Sequence, residues 1–223
     1  MRILILGSGS FVGQALFSHL LSKGHDVFGI NRSPVKSKYM WPWVDQFSFS
    51  DRWHKLNICD DLNAFKTLID RIKPTHVIDS MGQSMVSQSW LDPSLWYETN
   101  ISRKSSLIEH IRNLSSLEKY IKISTPEVFG SNSEKITYKT FFNPTTPYAV
   151  SQAAIDFHIR CIGNQFDFPY VIGRFANFYG PGQQLYRVIP KAILCFLSNQ
   201  KFILDGGGIS KRSFIYSSDF ISG

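Results

Sequence analysis

The first 13 residues of the chain constrain its fold more than any other stretch. Residues 2–6 are apolar and β-prone, as expected of a strand buried on both faces, and a glycine-rich turn follows at 7–13. Apolar residues then recur at helical spacing as far as Leu21. A glycine turn between a strand and a helix lets the backbone approach a pyrophosphate, and the helix N-terminus offers free N–H groups. The sequence therefore predicts a dinucleotide site at the start of a parallel α/β sheet.

The residues of this turn are the first candidates for cofactor contacts: Gly7, Gly9, Ser10, Phe11, Val12 and Gly13. The second predicted strand, 26–30, ends at Asn31 and Arg32, where the adenosine ribose is expected. NAD sites usually carry an acidic residue at that point, whereas an Arg suits the extra phosphate of NADP. Arg32 therefore favours NADP without excluding NAD, and its alternative role is that of a solvated loop residue. The predicted cofactor is NAD or NADP.

Strand and helix patterns alternate along the rest of the chain, which is typical of a parallel sheet covered by helices. Further strands are predicted at 47–49, 75–80, 119–124 and 168–175, and helices from Leu62, over 93–114 and from Pro147. The predicted fold class is α/β, a Rossmann-type doubly wound parallel sheet with the beginning of a smaller C-terminal substrate-binding lobe. In this interpretation residues 1–177 form the NAD(P)-binding domain and residues 178–223 the partial lobe.

The polar residues best placed for chemistry follow the strand predicted at 119–124. Thr125 and Glu127 come directly after it, and ligands of open α/β sheets bind at the carboxyl ends of the strands. Tyr148 begins the next helix and shares one face of it with Gln152. A hydroxyl, a carboxylate and a phenol beside a dinucleotide site favour redox-assisted sugar chemistry.

Composition narrows the class of partner. The chain has 223 residues and a formal net charge of +7, but its Lys and Arg are scattered, so no nucleic acid is expected as a partner. Three widely spaced cysteines suggest neither a disulfide framework nor a zinc site, and no metal is expected. The N-terminal apolar run is too short for a signal peptide, and no later run is long enough to span a bilayer. We therefore expect a cytoplasmic protein with no membrane partner.

Taken in order, these pieces resemble the extended short-chain dehydrogenase/reductase family, in its NAD-dependent epimerase/dehydratase (nucleotide-sugar) branch. The segments that carry the resemblance are 7–13, 74–78, 83–86, 92–100, 124–130, 147–148, 174–183 and 212–219. Within the branch the chain looks most like the dTDP-glucose 4,6-dehydratases. The resemblance implies a nucleotide-diphosphate sugar as substrate. It also implies a homodimer, with helices near 102–114 and 148–161 at the interface.

The resemblance implies roles for individual residues. Thr125 would hydrogen-bond the sugar 4-hydroxyl and Tyr148 would remove its proton. Glu127 would take the proton from C5 while the 6-hydroxyl leaves as water. Asn177 and Arg212 would hold the substrate pyrophosphate, which suits the bidentate fork of Arg. The remaining implied contacts are Gln83 and Ser84 to the substrate, and Asp60, Ser80, Asn100, Tyr148 and Gln152 to the cofactor.

The chain departs from the family pattern at three places. Ser10 stands where the family's turn has its middle glycine, and this chain has a glycine one residue earlier, at Gly9. Pro126 stands where the dehydratases usually have Asp. The family's Tyr-x-x-x-Lys becomes Tyr148-x-x-x-Gln152. In the family that Lys binds the nicotinamide ribose and lowers the tyrosine pKa. Losing a neighbouring cation reduces the phenolate fraction by about tenfold to a thousandfold.

These departures leave several functions open. A nucleotide-sugar 4,6-dehydratase is favoured, with a UDP-glucuronate decarboxylase or a nucleotide-sugar 4-epimerase as alternatives. Dehydratases and decarboxylases both resemble the pattern at Glu127, whereas simple epimerases need no carboxylate there. A catalytically quiet binder of nucleotide sugars or dinucleotides is the alternative from another class, because Gln152 supplies no charge. Since the family continues through the rest of a sugar-binding domain, we expect the chain to be either truncated or unusually short.

Overall fold

The main sheet of the protein is parallel and has six strands. The computed structural model describes residues 1–42, 44–46, 49, 51–130, 135–137, 139–204, 208 and 212–222. The strands are β1 (Arg2–Leu6), β2 (Asp26–Asn31), β3 (Trp53–Lys55), β4 (His76–Asp79), β5 (Lys119–Ser124) and β6 (Tyr170–Arg174). Their spatial order is β3-β2-β1-β4-β5-β6, with every pair parallel. This order is that of a Rossmann-type doubly wound sheet, which confirms the predicted fold class.

Helices cover both faces of the sheet. They are α1 (Phe11–Ser22), α2 (Leu62–Ile72), α3 (Pro93–Tyr97), α4 (Lys104–Ile111), α5 (Pro147–Phe166), α6 (Val188–Leu197) and α7 (Ser217–Ser222). One apolar core lies between the sheet and α2, α4 and α5, and a second lies between the sheet and α1 and α7. Within the described ranges, none of these helices is long and apolar enough to cross a bilayer.

The helix predicted over 93–114 contains a π-helical turn at Glu98–Arg103, between α3 and α4. Asn100 lies in this turn and is fully buried. Its Oδ1 accepts from the Gln83 backbone N–H at 2.8 Å, and its Nδ2 donates to the Gln83 carbonyl at 3.0 Å. Such turns often occur at functional sites. Here the turn aims one side chain at the loop that follows β4 and fixes that loop at the carboxyl edge of the sheet.

The third strand lies further along the chain than the sequence predicts. Of the segment predicted as a strand at 47–49, residues 47 and 48 lie outside the described residues, and Phe49 is not in a strand. Instead β3 pairs with the end of β2, with Trp53 opposite Gly29. Phe49 belongs to an aromatic cluster with ring centroids 4.9 to 6.1 Å apart, formed by Phe17, Trp41, Phe49 and Trp53. Burial of these rings fixes the path of the segment, and β-propensity alone does not reveal it.

A second, smaller sheet pairs β7 (Asn177–Tyr179) with β8 (Phe214–Tyr216) in parallel. Phe178 and Phe175 each pack edge-on against Phe220 of α7, with centroids 4.6 Å apart, and these contacts seat the small sheet on the α1 side of the molecule. The small sheet begins beside the predicted domain boundary at 177/178, which stays a prediction.

The two faces of β5 differ in chemistry. Ile121 and Ile123 pack into the core on the α1 side, as expected for a strand buried on both faces. On the side of α4 and α5, β5 places three buried polar side chains instead. Each has a partner at 2.7 to 2.9 Å on a neighbouring element: Tyr120 with Asp79, Lys122 with Gln152, and Ser124 with Asp156. These pairs satisfy the polar groups that the sheet buries.

Candidate active site

The glycine turn after β1 has no room for side chains. Gly7 has a φ of 76°, in the region that favours glycine. A Cβ on Gly7 would lie 2.8 Å from the Met81 backbone, and a Cβ on Gly13 would lie 2.2 Å from the Gly7 carbonyl oxygen. A Cβ on Gly9 would lie 2.4 Å from the Asn31 side chain. Glycine at position 9 therefore leaves room for the Asn31 side chain beside the turn.

The groups around this turn fit the pyrophosphate of a dinucleotide. Ser10 caps α1 by accepting from the Gly13 N–H at 2.9 Å, and the Ser80 hydroxyl donates to the Leu6 carbonyl at 3.0 Å. The buried hydroxyl of Ser8 has no partner in the described part of the chain. That hydroxyl lies against Gly29 of β2 inside the protein, so it is not exposed to a ligand. The glycine turn and the positive end of the α1 dipole together suit a phosphate.

The other predicted cofactor residues differ in what they present. The side chains of Phe11 and Val12 pack into the core, so only their backbone is available to a ligand. Asn31 ends β2 beside the glycine turn, and the Arg32 next to it is exposed. Asp60 lies between β3 and α2 and accepts a hydrogen bond from the Asn57 side chain. The cofactor contacts of these residues stay predictions.

Gly13→Ala is expected to weaken binding of ADP by about tenfold or more, because the new methyl group displaces either α1 or the Gly7 carbonyl. Isothermal titration calorimetry measures the affinity. Gly24→Ala is the matched control: it lies just past the other end of α1 with nothing within 4 Å of its Cβ position, although its φ is 79°. We expect a small loss of stability but no loss of ADP affinity in this control. Equal ADP affinity in the parent and Gly13→Ala would contradict a phosphate site at the turn.

Thr125, Glu127 and Tyr148 meet at the carboxyl end of β5. Thr125 caps a short 3-10 turn, Pro126–Phe129, that carries Glu127, and its hydroxyl also hydrogen-bonds the Tyr148 phenol. Thr146 and Pro147 start α5, so Tyr148 lies in its first turn. Burial raises the pKa of the Tyr148 phenol above its usual value, the hydrogen bond with Thr125 opposes this, and the Glu127 carboxylate adds to it.

Two residues predicted at opposite ends of the substrate are paired in the structure. Arg212 Nη1 donates to Glu127 Oε1 at 2.9 Å, and both side chains are partly exposed. Asn177 lies on the strand beside Arg212, because its backbone N–H donates to the Ser213 carbonyl at 3.1 Å. The structure thus brings Asn177, Arg212 and Glu127 into one region. Since Arg212 neutralises Glu127, an anion that bound Arg212 would leave the carboxylate free.

Asn100 links the loop after β4 to the helix that carries Tyr148. Besides holding Gln83, its Nδ2 donates to Ser151 Oγ at 3.0 Å, and the Ser151 hydroxyl donates to the Tyr148 carbonyl at 2.7 Å. Ser84, one residue beyond Gln83, is exposed. Because all the polar atoms of Asn100 bond protein groups, the structure gives it a positioning task. Its contact with the cofactor stays a prediction.

Sequence reasoning missed two cations near these residues. Lys122 is 1% exposed, and its Nζ donates to Gln152 Oε1 at 2.9 Å. Arg187, at the start of α6, lies close enough to Tyr148 to favour the phenolate and so lower its pKa. The signal for Lys122 was its place in β5. Because side chains alternate along a strand, Lys122 faces α5 together with Tyr120 and Ser124. Nothing in the sequence marks Arg187.

Comparison with known proteins agrees with this geometry. The family model described as "NAD dependent epimerase/dehydratase family" matches residues 3–223. The chain belongs to this family. The family assignment made from the sequence is therefore confirmed, and the family's description agrees with the predicted cofactor class.

The relatives that this chain matches within the NAD dependent epimerase/dehydratase family are named for more than one reaction. A dTDP-D-glucose 4,6-dehydratase of Dictyostelium discoideum is 28% identical over 99% of this chain, which spans 54% of that relative. The human protein of the same name is 27% identical, and the chain spans 63% of it. Among solved structures, a UDP-glucuronic acid 4-epimerase of Bacillus cereus, in complex with UDP-glucuronic acid and NAD, matches with a TM-score of 0.86 and 25% identity, over 99% of this chain and 71% of that one.

Proposed function

We propose that the protein acts as a nucleotide-sugar 4,6-dehydratase. The observation that carries the proposal is the hydrogen bond between the Thr125 and Tyr148 hydroxyls beside the Glu127 carboxylate, at the carboxyl end of β5. The first pair suits proton removal from the sugar 4-hydroxyl, and the carboxylate suits a second proton transfer at C5, the neighbouring ring carbon. The names of the Dictyostelium and human relatives support the same reaction.

The residues divide the proton transfers between them. Thr125 orients the 4-hydroxyl, and Tyr148 as phenolate accepts the proton of that hydroxyl as C4 is oxidised to a ketone. The ketone makes the C5 hydrogen acidic, so Glu127 removes it as a proton. The 6-hydroxyl then leaves as water, taking its proton from Glu127 or solvent because Pro126 supplies none. A proton returned to C5 completes a product that has lost one water and has not changed its oxidation level overall.

The cofactor in this proposal is NAD or NADP, held at the glycine turn after β1, at the end of β2 and beside Tyr148 and Gln152. When bound, it would supply a reversible hydride acceptor for the oxidation at C4 and the later reduction at C6. Arg32 is exposed and forms no ion pair with any described residue, so it is available to a ribose phosphate. This supports testing NADP together with NAD.

The substrate pyrophosphate is proposed to bind Asn177, at the end of the predicted cofactor domain, and Arg212, within the partial lobe predicted at 178–223. Arg212 already pairs with Glu127 at 2.9 Å, and a pyrophosphate carries more charge than one carboxylate. Substrate would therefore draw Arg212 away from Glu127 and leave the carboxylate as a base for C5. Binding of the substrate pyrophosphate would thus free Glu127 to act on the sugar.

A nucleotide-sugar 4-epimerase is the second candidate, supported by the Bacillus cereus epimerase structure. It would use Thr125 and Tyr148 in the same way but would give Glu127 no proton to remove. A decarboxylase would also use this carboxylate region but would release carbon dioxide from a glucuronate. A quiet binder would bind nucleotides without changing them. The position of Glu127 beside Thr125 favours the dehydratase over the epimerase.

Mass spectrometry separates these functions directly. The full-length gene product is incubated with NAD or NADP and a panel of dTDP-, UDP-, GDP- and CDP-sugars. Loss of one water from one sugar supports the dehydratase and names its substrate, whereas loss of carbon dioxide from a glucuronate would identify the decarboxylase. A sugar of unchanged mass but altered configuration, resolved by chromatography, would identify the epimerase. If no sugar changes while nucleotide binding is intact, the protein is a catalytically quiet binder.

Glu127→Gln is expected to slow water loss by about a hundredfold, because the amide cannot accept the C5 proton. Cofactor reduction by substrate at C4, followed by absorbance, should persist, since Thr125 and Tyr148 are unchanged. Glu118→Gln, which alters an exposed glutamate just before β5, is the matched control and should retain full activity. Unimpaired water loss in Glu127→Gln would remove this residue from the proposed reaction.

A homodimer through α4 and α5 is also proposed. Val150 and Phe157 of α5 are 40% and 47% exposed, which leaves apolar surface on the helix expected at the interface. Sedimentation equilibrium of the full-length gene product tests this: a dimer that Phe157→Glu converts to a monomer supports the interface, and a monomeric parent would contradict it.

A further inference from the structure

Lys122 is the buried cation closest to the candidate site. Its ammonium donates to the Ile123 carbonyl at 2.8 Å and to Gln152 Oε1 at 2.9 Å, and it forms no ion pair with a carboxylate in the described residues. Burial and the neighbouring Lys104 lower the pKa of Lys122 to about 8. The more distant charges that face it come from the three elements around it: Asp79 on β4, Asp156 on α5 and Arg174 on β6. A buried ammonium is costly for folding, so its retention calls for a use.

The hydrogen bond from Lys122 decides which way the Gln152 amide points. An ammonium is a donor only, so Gln152 must turn its oxygen toward Lys122 and its Nε2 away. The Nε2 atom bonds no residue in the part of the chain that the structure describes. It lies 3.6 Å from the Cβ position of Gly82, an exposed glycine in the loop after β4. The Asn100 Oδ1 lies 2.8 Å from the same position. The amide therefore offers an N–H donor beside Gly82 and the Asn100 side chain.

That donor lies where the second half of a dinucleotide is expected. The strand order reverses between β1 and β4, and a dinucleotide crosses an open α/β sheet at this switch point. A dinucleotide whose pyrophosphate bound at the glycine turn after β1 would have its second nucleotide near the carboxyl ends of β4 and β5. Gln152 flanks this region one helical turn after Tyr148, and Asn100 ties the same turn of α5 to the loop after β4.

We propose that Lys122 and Gln152 act as one unit that binds the ribose of the nicotinamide half of the cofactor. Gln152 Nε2 donates to a ribose hydroxyl, and Lys122 is a positioning residue that holds the amide and places a positive charge behind it. The amine that residue 152 lacks is supplied from β5, through the glutamine. This inference rests on the proposed cofactor function, which it deepens.

Two nucleotide fragments test the unit without requiring turnover. ADP contains the adenosine and pyrophosphate alone, whereas ADP-ribose adds the second ribose. Calorimetric titration of Lys122→Met is expected to show ADP-ribose binding about tenfold weaker than in the parent, and ADP binding unchanged, because only the second ribose meets Gln152. Equal weakening of both ligands would indicate a purely structural role for Lys122. Unchanged affinity for both would also overturn the inference.

The exchanged variant Lys122→Gln/Gln152→Lys keeps the test decisive if Lys122→Met does not fold. It keeps one buried amine and one amide but exchanges their positions, so we expect ADP-ribose affinity within about threefold of the parent. Lys104→Met is the matched control: it removes the other buried amine on this face, which bonds Asp79 and the Met81 carbonyl, and it should not change the ratio of the two affinities. A parent that binds neither fragment would contradict the proposed cofactor function itself. A parent that binds both equally well would contradict this inference alone.

Discussion

Tyr148→Phe is expected to lower turnover of the nucleotide sugar by about a thousandfold, while the protein stays folded and binds ADP as the parent does. The phenylalanine keeps the ring but loses the oxygen that hydrogen-bonds Thr125 and accepts the substrate proton. Steady-state rates measured by product mass give the comparison. Tyr39→Phe, at a tyrosine that is 83% exposed, is the matched control and should not differ from the parent.

The pH dependence of the parent should identify the same group. Because burial raises the pKa of Tyr148 above its usual value near 10, the phenolate fraction is small at neutral pH and grows about tenfold for each unit of rising pH. Lys122, whose pKa is about 8, stays charged below that pH. We therefore expect the rate to rise about tenfold per unit from pH 6 to pH 8. A flat profile over this range, or residual activity of Tyr148→Phe near that of the parent, would contradict the assignment of Tyr148 as the base.

Asp79→Ala is expected to lower the free energy of unfolding by about 3–5 kcal/mol, the largest stability effect that we predict. Asp79 is fully buried on β4 and bonds Lys104 at 2.9 Å and the Tyr120 hydroxyl at 2.7 Å. Removing it leaves the buried Lys104 ammonium without its counter-ion and the buried Tyr120 hydroxyl without its acceptor. Urea denaturation followed by circular dichroism measures the change.

The response to acid gives an independent check on this carboxylate. Burial by itself raises the pKa of Asp79, but Lys104 and Lys122, with the hydrogen bonds from Lys104 and Tyr120, outweigh it and hold the pKa below its usual value. A lowered pKa stabilises the fold above the unfolded-state pKa of about 4, and this contribution is lost as pH falls through the folded-state pKa. The stability difference between the parent and Asp79→Ala should therefore shrink below about pH 4.

A hydrogen bond at the protein surface provides the control for Asp79. Asp70 accepts from His110 at 2.8 Å, but its side chain is 55% exposed. Asp70→Ala should therefore cost no more than about 1 kcal/mol. If the two alanine variants lost similar stability, burial would not be the reason for the effect of Asp79.

The sequence was sufficient for the fold because its strongest signals are local. The strand, glycine turn and helix at 2–22, together with the alternation of strands and helices, predicted the doubly wound sheet that the structure shows. The third strand was misplaced because the aromatic cluster that fixes it joins residues far apart in the chain. Pairing with β2, and not propensity at 47–49, determines where β3 forms.

For the candidate site, the sequence predicted residue types better than it predicted their contacts. The place of Thr125 and Glu127 followed from the rule that ligands bind at the carboxyl ends of the strands, and Tyr148 was added to them by the family resemblance. Neither predicted the pairing of Arg212 with Glu127, which joins residues 85 positions apart in the chain. From the sequence alone, Gln152 indicates that the positive charge of the family's Lys is lost. The structure places the Lys122 ammonium 2.9 Å from the Gln152 amide oxygen. A missing residue in a motif is thus best judged after the side chains around it are known.

Isotope tracing from C4 tests the central claim, the 4,6-dehydratase reaction, most directly. dTDP-, UDP-, GDP- and CDP-glucose, each with deuterium at C4, are incubated with the full-length gene product and NAD or NADP, and the products are analysed by mass spectrometry. The account predicts one sugar that has lost one water and kept its deuterium, now at C6, because the hydride removed from C4 returns within the same turnover. Water loss with release of the deuterium, or a product that keeps all its atoms, would contradict it.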